Sequence, residues 1–219
     1  MHDSVKRLIS IQLKIKSICE EQNIQIPKII AISKTFPIEK VMPLIEYGHI
    51  HYGENKVQET EIKWKNIKNK FERLNLHLVG KLQTNKVKKA LSIFDYIHSL
   101  DNIKLANTIS KNQKDSKKKI KLFVQVNIGN EPQKSGISAN EVVSFVKKCI
   151  DDLKLNIIGL MCLPPIDLNS EKYFKELYEL KNLCKVSHLS MGMSADYLTA
   201  TKYKSSFLRI GSSIFGPRN

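Results

Sequence analysis

Cysteine and arginine are both scarce in this chain of 219 residues. Its four cysteines form no Cys-x-x-Cys pair and stand at no His/Cys spacing that suits zinc, so they are expected to be reduced thiols in a reducing compartment. No apolar run approaches the ~18 residues that span a bilayer, and the N-terminus lacks the apolar region of a signal peptide. These absences exclude a membrane span and predict a cytoplasmic protein.

Arginine is rare although the chain is strongly basic. Of 36 basic residues four are arginine and 32 are lysine, and the net charge is +15. Such a charge raises nucleic acid as a partner. The lysines are spread along the whole chain, with one tight run at 117–119, and arginine is the better reader of phosphate and guanine. We therefore expect a solvated basic surface and no nucleic acid partner.

Eight short apolar runs predict strands, and helical patterns lie between them. The runs cover 28–34, 50–54, 76–80, 96–100, 121–127, 156–162, 187–193 and 206–211. An additional helix is predicted over 5–22, and no flexible linker divides the chain, so 1–219 is expected to be one domain. Strands alternating with helices indicate a parallel sheet, and about 27 residues per unit favours an α/β fold of the (β/α)8 TIM-like barrel type. A doubly wound open sheet is the alternative, but no Gly-x-Gly-x-x-Gly follows a strand.

Two helix signals between the strands can be tested directly. A helix over 37–47 contains Pro43, which is expected to kink it. Ser138-x-x-Glu141 is a capping-box pattern ahead of a helix that begins near Val142. A third helix is predicted over 171–186 from its apolar spacing.

Polar and small residues cluster where the predicted strands end. Lys34 closes the first run, at the junction of a buried strand and a loop. The carboxyl ends of barrel strands face the active site, so these residues are expected to converge. Besides Lys34 the set contains Glu54, Asn55, Asn127, Met161, Cys162, Ser190, Gly192, Ser194, Arg209, Gly211, Ser212 and Ser213.

The last two strand ends predict an anion site. Ser194 is expected to be an N-cap, with free backbone N–H groups beside it. Arg209, Gly211 and Ser212 add a guanidinium, a backbone turn and a hydroxyl. Barrel phosphate sites commonly use the loops after the seventh and eighth strands. A desolvated lysine facing such a site can attack a carbonyl, which suggests pyridoxal 5′-phosphate or, alternatively, aldolase-type chemistry on a sugar phosphate.

Several stretches together resemble the pyridoxal-phosphate-binding homeostasis proteins. They are 32–35, 52–59, 77–86, 127–136, 159–161, 189–196 and 209–216. The resemblance implies a barrel like the N-terminal domain of alanine racemase, with pyridoxal phosphate covalently bound on Lys34. Phe36 departs from the family pattern by replacing a commonly polar residue, and Pro43 departs by interrupting the first crossover helix.

The resemblance also implies roles for individual residues. Ser194, Gly211 and Ser212 would hold the phosphate, and Asn55 and Met161 would line the ring. Arg209 would contact either the phosphate or the pyridine ring. Three further residues are weaker candidates for contact: His77, Ser190 and Gly192.

The resemblance implies a carrier of pyridoxal phosphate in vitamin B6 homeostasis without robust catalysis, with apoenzymes as transient partners. A monomer is expected, because the sequence predicts no long uninterrupted apolar surface helix. Racemisation needs acid/base groups on both faces of the bound substrate. Lys34 could serve one face, and the sequence suggests no residue for the other, because the racemase base comes from a separate domain. A racemase-like enzyme is the alternative, and a nucleic-acid-binding protein is a third hypothesis.

Overall fold

The computed structural model describes residues 1–113, 119–165 and 169–217, so Lys117 and Lys118 of the basic run lie outside the described residues. Strands and helices alternate along the chain. The strands are β1 Lys28–Ile32, β2 His51–Glu54, β3 Asn75–Leu78, β4 Tyr96–Leu100, β5 Lys121–Asn127, β6 Ile137–Ser138, β7 Ile157–Cys162, β8 His188–Ser190 and β9 Phe207–Ile210. The helices are α1 Asp3–Gln22, α2 Ile38–Glu46, α3 Val57–Lys70, α4 Val87–Ile93, α5 Ile103–Gln113, α6 Val142–Asp151, α7 Ser170–Leu183, α8 Tyr197–Lys202 and α9 Ser212–Phe215.

Eight of the strands close into a parallel barrel. β1 pairs with β2 on one side and with β9 on the other, and β4 pairs with β5, so the ring has no open edge. The short strand β6 adds to β5 at its carboxyl end. The predicted (β/α)8 barrel is therefore confirmed, and the open doubly wound sheet is wrong.

Several predicted boundaries need correction. β1 ends at Ile32, so Lys34 lies in the turn after the strand and not at its last residue. β8 has only three residues, His188–Ser190, although Met191 and Gly192 still form backbone hydrogen bonds with Phe207 and Arg209 of β9. Pro43 lies inside α2, which continues to Glu46.

The predicted capping box of Ser138 and Glu141 is also wrong, because Ser138 is not the N-cap of the following helix. The Ser138 hydroxyl does donate to Glu141 Oε2 at 2.5 Å, but Ser138 belongs to β6. α6 begins at Val142 with Glu141 as its N-cap. The two side chains close a turn between strand and helix.

The interior of the barrel differs from the layer outside it. A large aliphatic core fills the space between the strands and the helices. Inside the ring, a smaller cluster of Ile30, Ile32, Tyr96, Phe123, Met161 and Phe207 packs together. Buried polar side chains from alternate strand positions complete this interior: His51, His77, His98, Gln125, Ser190 and Arg209.

α1 begins close to its predicted start and packs on the barrel through Leu8, Ile11 and Ile15, which are buried. Across the described residues, every helix is too short or too polar to cross a bilayer.

Candidate functional site

A cavity of about 620 Å³ opens at the carboxyl ends of the barrel strands. Segments that follow β1, β2, β3, β5, β8 and β9 form its wall. Six of the ten residues predicted to contact the cofactor lie on that wall: Lys34, Asn55, Ser194, Arg209, Gly211 and Ser212. Asn127, which was predicted at a strand end without a cofactor role, lies there as well. The barrel thus brings together residues that are up to 178 positions apart, from Lys34 to Ser212.

Lys34 is presented to the cavity by a tight turn. The Phe36 backbone N–H donates to the Ser33 carbonyl at 3.1 Å, which closes the turn around Lys34 and Thr35. Thr35 has a φ of 70°, a left-handed conformation that is unusual for a β-branched residue. Phe36 is buried against Phe215 at 5.0 Å between ring centroids. The residue that departs from the family pattern therefore anchors the turn by packing.

A buried carboxylate fixes the other side of the same turn. Glu54 Oε1 accepts from the Ser33 hydroxyl at 2.7 Å, from Lys63 Nζ at 2.8 Å and from Trp64 Nε1 at 2.9 Å. Lys63 also donates to the Ser33 carbonyl at 2.7 Å. These bonds tie the residue before Lys34 to α3, so groups outside the cavity hold the start of this turn.

The predicted anion site has a different geometry from the one expected. Ser194 is not an N-cap, because α8 begins at Tyr197 and Asp196 accepts from the Met193 N–H at 2.6 Å. Instead, the Ser194 hydroxyl accepts from the backbone N–H groups of Gly211 and Ser213, both at 3.3 Å. Backbone donors and hydroxyls therefore converge at one end of the cavity, an arrangement that suits an anion.

Arg209 brings a buried positive charge to the cavity. Arg209 is 4 % exposed, and its guanidinium donates to Ser190 Oγ at 2.8 Å and to the Cys162 carbonyl at 2.7 Å. Among the described residues, no carboxylate forms a salt bridge with it. Burial lowers the pKa of Arg209, and the nearby Cys162 and Asp196 partly offset this effect. A buried cation with only neutral partners favours an anionic ligand.

Four predicted residues lie off the cavity wall. Met161 is fully buried in the interior cluster beneath the cavity, and His77 and Ser190 are fully buried in the polar interior. Gly192 has a φ of 90° and packs against Ala200 and Leu208, so it serves a turn and close packing. Cys162 is also buried, and burial raises the pKa of its thiol to about 12. For Met161, His77 and Ser190, the alternation of a barrel strand explains the position, because inward residues stack in layers and only the top layer meets the opening. Cys162 instead belongs to the core between strands and helices.

From the sequence, Asn127 is placed at a strand end and 127–136 in the resemblance, but no cofactor contact is assigned to β5 or to the segment after it. Gln125, Gln133, Lys134 and Ser135 line the cavity, and Gln125 Nε2 donates to the Ser135 carbonyl at 2.9 Å. Asn127 holds the same segment, because its Nδ2 donates to the Glu131 carbonyl and its Oδ1 accepts from the Glu131 backbone N–H. The alternation of β5 places Gln125 inward, and this signal could have identified it.

Gly80 allows a close approach between two wall segments. A Cβ on Gly80 would lie 2.9 Å from the Cα of Asn55 and still closer to its carbonyl oxygen. We expect Gly80→Ala to lower the free energy of unfolding by about 1–3 kcal/mol, because backbone must move. Chemical denaturation measures the effect. Gly211→Ala is the control, since its Cβ would have 3.4 Å of clearance, and equal losses in both variants would contradict the explanation.

Comparisons with known proteins agree with this geometry. A family model described as alanine racemase, N-terminal domain, matches residues 13–219. A pyridoxal phosphate homeostasis protein of Haemophilus influenzae is 34% identical over 221 residues, which cover 95% of this chain and 93% of the relative. The proteins of that name from Aquifex aeolicus and Homo sapiens are 32% and 33% identical, covering 99% and 88% of this chain and 99% and 77% of their own lengths.

Solved structures give the same result. PipY of Synechococcus elongatus with pyridoxal phosphate bound has a TM-score of 0.83 at 29% identity, covering 97% of this chain and 100% of that one. Alanine racemase of Corynebacterium glutamicum has a TM-score of 0.71 at 12% identity, covering 92% and 58%, which shows a shared fold alone. The chain therefore belongs to the family of pyridoxal phosphate homeostasis proteins, built on the barrel of the alanine racemase N-terminal domain.

Proposed function

We propose that this protein binds pyridoxal phosphate as a Schiff base on Lys34 and acts as a carrier in vitamin B6 homeostasis. The observation that carries the proposal is one cavity that combines Lys34 with a buried arginine lacking a carboxylate partner among the described residues. The name of the relatives and the pyridoxal phosphate in PipY support the same ligand.

The wall residues fit the parts of this ligand. The phosphate would replace the Ser194 hydroxyl as acceptor for the N–H groups of Gly211 and Ser213, and the hydroxyls of Ser194 and Ser212 would donate to it. Arg209, the deepest cation of the wall, would approach the phosphate or the pyridine ring, and Asn55 would lie along the ring.

When bound, pyridoxal phosphate supplies an aldehyde carbon that a neutral lysine amine attacks, forming a C=N bond as one water leaves. Lys34 provides that amine from a turn whose direction is fixed by Glu54 and Phe36. The cavity is open to solvent on one side, so water can also reverse the linkage. Reversibility suits a carrier better than a committed catalyst.

The composition of the wall supports the carrier over the racemase alternative. Among the residues that the structure describes, its titratable side chains are Lys34, Lys81, Lys134 and Arg209. Lys134 forms an ion pair with Glu131 at 2.5 Å. A racemase predicts exchange of the α-proton when purified protein and pyridoxal phosphate are incubated with amino acids in D₂O. Exchange above the rate of the free cofactor would favour the enzyme.

In this proposal the protein works in the cytoplasm as a monomer and passes pyridoxal phosphate to apoenzymes. Exchange through an open cavity requires no second subunit. Mixing the loaded protein with an apoenzyme and following recovery of that enzyme's activity tests the transfer. Recovery no faster than with an equal concentration of free cofactor would contradict it.

Lys34→Ala is expected to abolish the absorbance of the linked cofactor and to weaken retention of pyridoxal phosphate at least about tenfold, because the C=N bond is lost. Titration followed by absorbance measures both. Lys81→Ala is the matched control on the same wall and is expected to keep the absorbance. Full absorbance in Lys34→Ala would refute the assignment.

A further inference from the structure

A continuous column of hydrogen-bonded side chains runs through the barrel interior and ends at Arg209. His51 Nδ1 lies 3.0 Å from His77 Nε2, and His77 Nδ1 lies 2.9 Å from His98 Nε2. His98 Nδ1 lies 2.9 Å from Ser190 Oγ, which accepts from Arg209 Nη1 at 2.8 Å. The column joins β2, β3, β4, β8 and β9 by side chains alone.

The column connects the two ends of the barrel. Arg209 lies on the wall of the large cavity at the carboxyl ends of the strands. His51 lines a second cavity of about 350 Å³ together with Lys28 and His49, near the amino ends of β1 and β2. His77 and His98 lie between these ends and are fully buried.

Ring stacking fixes the planes of the two central imidazoles. His77 stacks on Tyr96 at 4.2 Å between centroids with an angle of 10° between planes. His98 stacks on Phe123 at 4.3 Å and 13°. Because both rings are held in place, only the tautomer of each imidazole can still vary, that is, which of its two nitrogens carries the hydrogen.

Arg209 determines that direction. A guanidinium can only donate, so Ser190 Oγ accepts from Arg209. Among the hydrogen bonds of the described residues, His98 Nδ1 is the acceptor that the Ser190 hydroxyl reaches, so we infer that the hydroxyl directs its hydrogen to that nitrogen. His98 then carries its proton on Nε2 and donates to His77 Nδ1, and His77 in turn donates from Nε2 to His51 Nδ1. Each ring must be neutral to do this, and burial lowers the pKa of His77 and His98 well below the usual value.

We propose that His98, His77 and His51 are positioning residues for Arg209, forming an oriented column whose acceptor nitrogens all face the guanidinium and stabilise its buried charge. Cooperative polarisation along such a chain strengthens its bonds in a low-dielectric interior. The column is not a route for delivering a proton to the cavity, because it ends at a group that has no acceptor. The proposal rests on the proposed function, since Arg209 matters here as a cofactor contact.

The first test needs no cofactor. Long-range ¹H–¹⁵N correlation spectra of the wild-type protein at pH 7.5 report which imidazole nitrogen carries the proton. We expect His51, His77 and His98 all to be neutral and protonated on Nε2. A proton on Nδ1 of His77 or His98, or a cationic ring, would overturn the proposal even if no column variant folds.

The second test breaks the column away from the cavity. His77→Phe keeps the stacking on Tyr96 but removes both hydrogen bonds, and we expect pyridoxal phosphate to bind about tenfold more weakly. The amide in His77→Gln keeps one acceptor and one donor, which lie about as far apart as the two nitrogens of the imidazole. We expect this variant to bind pyridoxal phosphate within about threefold of the wild-type affinity. His188→Phe, outside the column, is the control and is expected to bind as the wild type does.

These outcomes separate the two proposals. A wild-type protein that does not bind pyridoxal phosphate would refute the proposed function, whereas the tautomers would still report on the column. Wild-type affinity in His77→Phe would overturn the positioning role. Equal losses in His77→Phe and His77→Gln would also overturn it, because restoring a donor and an acceptor at this position would then recover no affinity.

Discussion

Glu54→Ala is expected to lower the free energy of unfolding by about 3–5 kcal/mol, the usual cost of removing one partner of a buried ion pair. The Glu54 side chain is 3% exposed and that of its partner Lys63 is 13% exposed. Removing the carboxylate leaves the Lys63 ammonium without its anion, and Ser33 Oγ and Trp64 Nε1 without their acceptor. Urea denaturation followed by circular dichroism measures the loss.

The same substitution is expected to affect the cofactor. Ser33 immediately precedes Lys34, and its carbonyl and hydroxyl are held by the Glu54–Lys63 pair. Once this support is lost, the turn that directs Lys34 loosens, and we expect weaker retention of pyridoxal phosphate at temperatures where the variant is still folded.

Glu59→Ala is the matched control for both effects. Glu59 pairs with Lys56 at 2.7 Å near the start of α3, but both side chains are more than half exposed. Exposed pairs contribute about 0–1 kcal/mol, so little change is expected. Similar losses in Glu54→Ala and Glu59→Ala would contradict the role given to the buried network.

Acid is expected to destabilise the protein well above the pH at which carboxylates titrate. Burial lowers the pKa of His51 from 6.5 to about 4, with the charges of His49, Lys28 and Lys121 acting in the same direction. The native state therefore binds fewer protons than the unfolded chain between these values. The stability that this imidazole contributes is complete above about pH 6.5 and is lost as the pH falls toward 4.

The size of this effect follows from the difference between the two pKa values. For His51 alone, the free energy of unfolding is expected to fall by about 3 kcal/mol between pH 6.5 and pH 4. His77 and His98 act in the same direction, because burial also lowers the pKa of each. A stability profile from pH 8 to pH 4 measures the sum. We expect His51→Gln to flatten the profile, and a wild-type stability that stays constant from pH 6.5 to pH 4.5 would contradict the prediction.

The barrel could be predicted from the sequence because its signals are local and repeated. Each apolar run marked a strand, and the residues at the run ends marked where strands stop, to within a few positions. Six of ten candidate residues reach the cavity wall, since a parallel barrel brings all carboxyl ends to one face. The short strand β6 was missed because two residues carry no recognisable periodicity.

What could not be predicted depends on pairings between distant strands. His51, His77 and His98 stand 21 to 26 positions apart, and only the register of β2, β3 and β4 aligns their rings. Ser194 bonds to Gly211 and Ser213 because two loops meet in space, which no local capping rule contains. The left-handed Thr35 is likewise imposed by tertiary contacts against its own preference.

The central claim is that Lys34 carries pyridoxal phosphate. The purified protein is incubated with the cofactor, reduced with borohydride and digested, and its peptides are analysed by mass spectrometry. We predict one dominant pyridoxyl adduct, located on Lys34, with Lys81 and Lys134 on the same wall largely unmodified. A dominant adduct on another lysine, or no adduct after incubation, would contradict the account.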